Sequence, residues 1–311
     1  MKIKVDFWNV GQGDASTLEI IDDTNKKHFI VIDVGPKLNS FVQWVCRQPR
    51  SIYVDFLFIT HNDMDHIGGL DQLTMSNRFF VNKVYYLIDR PKKELQHLFK
   101  RLDNISQKHG RFEIDDSPRV IYTCDPFSLV IRHPDLVSNR DHIQNATSGI
   151  LSLMFRDKNI ITWPGDQRLS IVSQKAGNTV MLFGPHHGAP QDNYKVYGKN
   201  LDILTPSYCY ASLATDNRYS HPKEKYIQGL AHRNCLVRCS QFTYKCGISS
   251  SAKLPPPNTS AFYALPVQNG FPCYGHYRFY VDPFTGEVIE DPIVSQQHKK
   301  WISQFPNRLC K

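Results

Sequence analysis

Four side chains able to bind a metal ion, His61, Asp63, Asp65 and His66, are packed into the short stretch His61-Asn62-Asp63-Met64-Asp65-His66-Ile67-Gly68-Gly69. Imidazole and carboxylate together suit zinc, manganese or iron, and the two carboxylates shift the preference toward harder ions. Groups this close in sequence converge on one point only where the backbone turns sharply, and Gly68-Gly69 gives it that freedom directly afterwards. One His-x-Asp pair in a loop is usually a solvated pair. The full pattern of His-x-Asp-x-Asp-His-x-Gly-Gly following a strand is a metal motif, because ligand types, spacing and context agree.

The elements that must position these groups can be read on either side. Val54-Asp55-Phe56-Leu57-Phe58-Ile59 is an apolar run with the length of a buried strand, so the motif occupies a strand-to-helix loop, with the helix over residues 69–78. Earlier, alternation predicts strands over residues 2–8, 16–21 and 28–33, with Asn9-Val10-Gly11-Gln12-Gly13-Asp14 as the first turn and a helix over residues 38–47. Asp14 either caps that turn or orients a ligand histidine. Later strands are expected over residues 81–88, 120–122, 127–131, 150–155, 159–163, 179–183 and 236–239, and helices over residues 92–108, 169–175 and 223–232. Two of these strands stop at polar residues, one at Pro164-Gly165-Asp166, whose Gly-Asp pair alone marks an ordinary turn, and one at Gly184-Pro185-His186-His187-Gly188. Arg218 offers a planar fork for phosphate, and His221, ahead of Pro222 and a helix start, is placed to touch an anion.

These motifs together resemble the metallo-β-lactamase superfamily, whose members carry His-x-His-x-Asp-His at a strand end. Asp63 stands here where the second histidine usually is, a variant similar to the hydrolase domain of the bacterial competence protein ComEC and its soluble relatives. The Val10-Gly11-Gln12-Gly13-Asp14-Ala15, Pro185-His186-His187-Gly188 and Asn217-Arg218-Tyr219-Ser220-His221-Pro222 stretches are similar to that group as well. The resemblance covers about residues 1–246. It implies an α/β fold, a four-layer αβ/βα sandwich of two mixed sheets with metals at one edge between them, and a C-terminal extension, residues 247–311, packed on the same domain.

By the same resemblance the cofactors are two divalent metal ions, zinc or manganese. Asp166 is the bridging ligand and His186 the last imidazole ligand, with His187 facing the substrate as proton donor or phosphate contact; the two histidines can be exchanged. Asn145 falls where many members have a third histidine, with His133 the other candidate for that place. One site then holds Asp65, His66, Asp166 and His186. The other holds His61, Asp63, Asp166 and the Asn145 carbonyl, and this oxygen-rich set favours manganese. Catalysis is expected to rest on Asp65, Asp166 and His187, and substrate contact on Asn145, Arg218 and His221.

The bulk properties limit the partners. A chain of 311 residues with 41% hydrophobic and 21% charged residues is long enough for a sizeable core, and a formal charge of +8 with a pI near 9.0 favours an anionic partner. No apolar run approaches the roughly 18 residues that would mark a membrane span, and the chain begins directly on a strand, so a cytoplasmic location without membrane contact is expected. The dispersed cysteines fit reduced thiols, and Cys235-x3-Cys239-x6-Cys246 reads as thiols on adjoining strands rather than a zinc site. A late hairpin is expected over residues 276–289, and a basic, aromatic tail around Trp301 reads as a packed surface helix.

The expected function is a metal-dependent phosphodiesterase, a nuclease hydrolysing DNA through a metal-bridging hydroxide, with nucleic acid as the partner. Two other functions stay open at this point: a hydrolase of a small ester, lactone or thioester, and a non-catalytic module that binds nucleic acid or a protein.

Overall fold

The computed structural model describes residues 1–86, 96, 118–132, 148–214, 219–241, 276–292 and 295–296. The helix expected over residues 92–108, apart from residue 96, and Asn145, His133, Arg218, Cys246 and the Trp301 tail lie outside the described residues.

Among the described residues two seven-stranded mixed sheets face each other. The first runs β14-β13-β1-β2-β3-β4-β5 and the second β12-β11-β10-β9-β8-β7-β6. In the first, β1 (Lys2–Phe7), β2 (Ala15–Ile21) and β3 (Lys27–Val34) form an antiparallel meander, and β3 continues in parallel to β4 (Ile52–Ile59) and β5 (Phe79–Tyr86). In the second, β6 (Arg119–Cys124), β7 (Phe127–Arg132), β8 (Ile150–Phe155) and β9 (Lys158–Trp163) are antiparallel. The short strands β10 (Met181–Phe183), β11 (Tyr208–Ala211) and β12 (Leu236–Cys239) then follow in parallel.

Side-chain alternation along the strands produces three cores. Ile3, Val5 and Phe7 of β1 and Ile30 and Ile32 of β3 point between the sheets, where they meet Trp163, Phe183 and Tyr210. Phe29 and Val31, on the opposite face of β3, pack with Phe41, Val42 and Val45 of α1 (Ser40–Arg47). A third core lies behind the second sheet, where Leu182, Cys209 and Val237 meet α4 (Leu169–Ala176), α5 (Tyr197–Leu204) and α6 (Glu224–His232). Helix, sheet, sheet and helix therefore form four layers, and strands buried on both faces must read as continuous apolar runs. Each fully buried Phe or Leu in these cores contributes about 1.5–3 kcal/mol of transfer free energy.

Three local differences from the sequence expectations have physical causes. The helix expected over residues 69–78 is the shorter α3 (Leu70–Met75), and a separate helical turn, α2 (Met64–Ile67), precedes it, so Asp65 and His66 stand on a helical turn and not in a loop. Helix α5 contains Gly198, and strand β11 has four residues buried on both faces, so neither shows a clear period. Strand β13 (Tyr277–Val281), late in the chain, pairs with β1 along its length, and β14 (Val288–Glu290) pairs with β13, so these two strands are part of the first sheet.

Candidate metal centre

The topology delivers the polar residues to one edge. Strands β3, β4, β9 and β10 end there, and the β1–β2 turn closes beside them, which brings Asp33, His61, Asp166, His186, His187 and Asp14 to a common point. Two glycines allow the close approach. Gly165, at φ +54°, leaves no room for a side chain, since a Cβ would come 2.7 Å from Thr60 Cβ. Gly13, at φ +147°, lies against the backbone of Asp65, and Asp14 N donates to the Asp65 carbonyl at 3.1 Å. The first turn is thereby pinned to the metal loop.

Asp166 occupies the middle, and its two oxygens face different imidazole pairs. Oδ1 is 3.3 Å from His66 Nε2 and 3.7 Å from His187 Nε2. Oδ2 is 3.6 Å from His61 Nε2 and 3.5 Å from His186 Nε2. Asp65 Oδ2 adds to the first group, 3.2 Å from His187 Nε2, and Asp63 Oδ2 to the second, 3.6 Å from His61 Nε2. Both histidines of the first group have their far nitrogens held by carboxylates: His66 Nδ1 is 2.8 Å from Asp33 Oδ2, and His187 Nδ1 is 3.0 Å from Asp14 Oδ1. Such pairing fixes the ring and aims Nε2 at the common point.

The electrostatics follow from burial against charge. Burial lowers the pKa of His66, but Asp33 and Asp166 outweigh it and hold the group well above the usual histidine range. Burial likewise opposes the charge on His187, which Asp14 and Asp166 raise well above its ordinary value. Asp166 is buried too, yet His187, His61 and His66 hold its carboxyl well below the ordinary range. Asp65 is lowered despite burial, by His187 and His66. Asp14 is raised by burial, which its contact with His187 only partly offsets. Outside this group, His221 is pushed down to about 3 by burial and by His187 and His186, so it is uncharged at neutral pH; its ring lies 5.0 Å from that of His186.

These residues fit a divalent cation. His61 Nε2, His66 Nε2 and Asp166 Oδ1 are all buried and have no hydrogen-bond partner among the described residues, a costly arrangement unless a further group satisfies them. One ligand atom each from Asp14, His66, Asp166 and His187 lie within 4.8 Å of one another. The carboxylates that raise His66 and His187 would favour a cation in the same way, and a cation at Nε2 would displace any proton from that atom. The more open wall is formed by Asp63, Asp65 and His186, whose side chains are 25%, 31% and 22% exposed.

Of the residues expected at the site, the structure brings together His61, Asp63, Asp65, His66, Asp166, His186 and His187, with His221 beside the last two. Asn145 and Arg218 lie outside the described residues. Asp33 reads in the sequence only as the end of a strand. A buried acid closing an otherwise apolar run, His28-Phe29-Ile30-Val31-Ile32-Asp33, is the signal that identifies it.

No known protein-family profile matches the chain. ComE operon protein 3 of Bacillus subtilis is 23% identical over 295 residues, covering 83% of this chain, which spans only 35% of that relative's length. Among solved structures, the metallo-β-lactamase fold protein YhfI of Bacillus subtilis is similar at 11% identity and a TM-score of 0.47, over 76% of this chain and 96% of that one. Igni18, a metallo hydrolase of Ignicoccus hospitalis, is similar at 14% identity and a TM-score of 0.46, over 76% of this chain and 94% of that one. The chain has a metallo-β-lactamase-like α/β fold of two mixed sheets, is distantly homologous to ComE operon protein 3, and gathers a buried His/Asp cluster able to hold a metal ion.

Proposed function

We propose that the chain is a two-metal phosphodiesterase acting on nucleic acid, with DNA as the first substrate to test. The observation that carries this reading is the division of Asp166, one oxygen toward His66 and His187 and the other toward His61 and His186. A carboxylate shared in this way suits a pair of ions. His61, Asp63 and His186 would hold one ion with Asp166 Oδ2, and Asp65, His66 and His187 would hold the other with Oδ1. This takes the exchanged assignment of the two histidines, with His187 as the deeper ligand because Asp14 fixes it.

Bound there, two divalent ions would supply Lewis acidity, lowering the pKa of water and stabilising charge that develops on phosphorus. The chain's own groups do the rest. Asp33 and Asp14 keep the rings of His66 and His187 from turning. His221, neutral beside His186, can hydrogen-bond a phosphate oxygen without attracting a proton from it. The excess of basic residues, a formal charge of +8, supports attraction of a polyanion and predicts affinity that falls with salt. No helix among the described residues is long and apolar enough to cross a membrane.

The test is cleavage of single- and double-stranded DNA and RNA with Mn²⁺, Zn²⁺, Mg²⁺ or EDTA, alongside Asp166→Asn. Metal-dependent cleavage that Asp166→Asn abolishes supports the reading. Folded, metal-loaded protein that cleaves none of these substrates but hydrolyses a small ester or lactone overturns it.

A further inference from the structure

The face of the first sheet that points away from the metal centre carries a second feature. A cleft of about 590 Å³ lies along the outer side of β1, β2, β3 and β13, bounded by the end of α1 and the segment leading into β4. That volume is within the range of small-ligand sites. Its two ends differ in chemistry.

At the end near the β1–β2 turn the wall is aromatic. The rings of Trp8 and Trp44 stand 5.0 Å apart, and the His276 ring meets Trp8 edge-on at 4.5 Å. Trp8 is almost wholly buried among Phe41, Trp44 and His276 and closes this end, while the partly exposed Trp44 offers the indole surface on which a planar ring can stack, at about 1–3 kcal/mol per base in nucleic-acid complexes. Trp8 Nε1 is already committed to Thr17 Oγ1, so the indole is fixed in orientation.

Toward the other end the lining is basic. Four basic side chains, Lys4, Lys27, Arg50 and Arg278, face the cleft against two carboxylates. Asp6 is engaged by Arg278 through two oxygens, at 2.5 and 3.0 Å. Glu19 is shared between Lys4, at 3.3 Å, and Lys27. Lys4 also reaches Asp6 Oδ2, at 3.8 Å, so two carboxylates are shared among three of these cations, and Arg50 adds a further positive charge.

We propose that this cleft binds a nucleoside phosphate, with the base against Trp44 and the phosphate near Lys4, Lys27 and Arg50. The ligand is either a free nucleotide or one nucleotide of a strand, since both present the same ring and charge. The site is separate from the metal centre and does not rest on the hydrolase reading, so either can fail without the other.

The experiment titrates the full chain in EDTA with deoxynucleoside monophosphates and, separately, a short single-stranded oligonucleotide, following tryptophan fluorescence and heat. Saturable binding that the double variant Lys27→Glu/Arg50→Glu weakens at least tenfold, while Asp166→Asn retains it, supports the proposal. Both substituted positions are surface residues, and circular dichroism checks that the variant is folded. Binding of the mononucleotide identifies the free nucleotide as sufficient, and binding of the oligonucleotide alone, with the same variant pattern, identifies the strand. Absence of binding at millimolar nucleotide, indifference to the double variant, or loss in Asp166→Asn overturns it.

Discussion

Asp33 Oδ2 lies 2.8 Å from His66 Nδ1, so the only nitrogen that His66 can turn toward Asp166 is Nε2. Asp14 acts on His187 in the same way at 3.0 Å. A carboxylate behind a ligand histidine fixes its tautomer and makes it more basic, and removal of such a partner typically costs 10–100-fold in metal affinity. Asp14→Asn and Asp33→Asn are each expected to lower zinc or manganese affinity by about that factor while the protein stays folded. Competition against a chromophoric chelator measures this. Affinities equal to the parent protein in both variants would remove the orienting role.

Gly13 carries a separate expectation because its position is steric. A Cβ there would fall onto the Asp65 carbonyl oxygen and lie 2.7 Å from Pro36 Cδ, at a φ of +147° that side chains rarely adopt. Gly13→Ala must therefore push the first turn away from the metal loop, shifting Asp14 and Asp65 together. Loss of metal affinity at least as large as in Asp14→Asn is expected, with a drop in stability of about 1–3 kcal/mol from backbone strain. Urea unfolding with and without metal separates the two effects. A variant that binds metal like the parent would mean that the turn relaxes at no cost to the site.

How far the site is legible in the sequence depends on what each residue must do. His61, Asp63, Asp65 and His66 are legible because four metal-binding side chains crowded onto one loop repel or compete with one another unless a cation joins them. Asp166, His186 and His187 can be located because strands β9 and β10 end close to them. Which of the two adjacent histidines goes deeper is not readable, because both have positive φ in an irregular turn, φ 49° and 56°, where no strand or helix period says which ring turns inward. Asp33 at the end of β3 and its partner His66 on α2 are separated by 33 residues, and a contact that depends on the parallel pairing of β3 with β4 leaves no local pattern. The same holds for β13, whose pairing with β1 joins segments far apart in the sequence.

Arg238 and Glu290 tie the edges of the two sheets. Arg238 on β12 makes two hydrogen bonds to Glu290 on β14, Nε to Oε1 at 2.6 Å and Nη2 to Oε2 at 2.9 Å, with both side chains almost wholly buried. Glu290→Ala takes from the buried Arg238 the carboxylate that balances its charge through two hydrogen bonds, so it should destabilise the fold by about 3–5 kcal/mol. The double variant Arg238→Met/Glu290→Leu, which removes both charges, should recover most of that loss. Chemical denaturation of the single and double variants gives the answer. A double variant no more stable than Glu290→Ala would mean that the geometry of the pair, and not only its charge balance, holds the sheets together.

Glu19 supplies a pH dependence whose sign can be worked out. Burial pushes its carboxyl up, but Lys27 and Lys4 together outweigh burial and bring it below the ordinary value of 4.5. A depressed pKa in the folded state means that the carboxylate stabilises the fold at pH values above 4.5. That contribution fades as pH falls through the folded-state value. Glu19→Gln should therefore be less stable than the parent at pH 7, and the gap should close as pH is lowered below 4.5. Salt should narrow the gap at pH 7, because Lys27 is more than half exposed and its attraction is screened. The measurement is the urea midpoint of both proteins at pH 7, 5 and 3.5. A gap that stays constant across the three would assign the loss to packing of the Glu19 side chain and not to its charge.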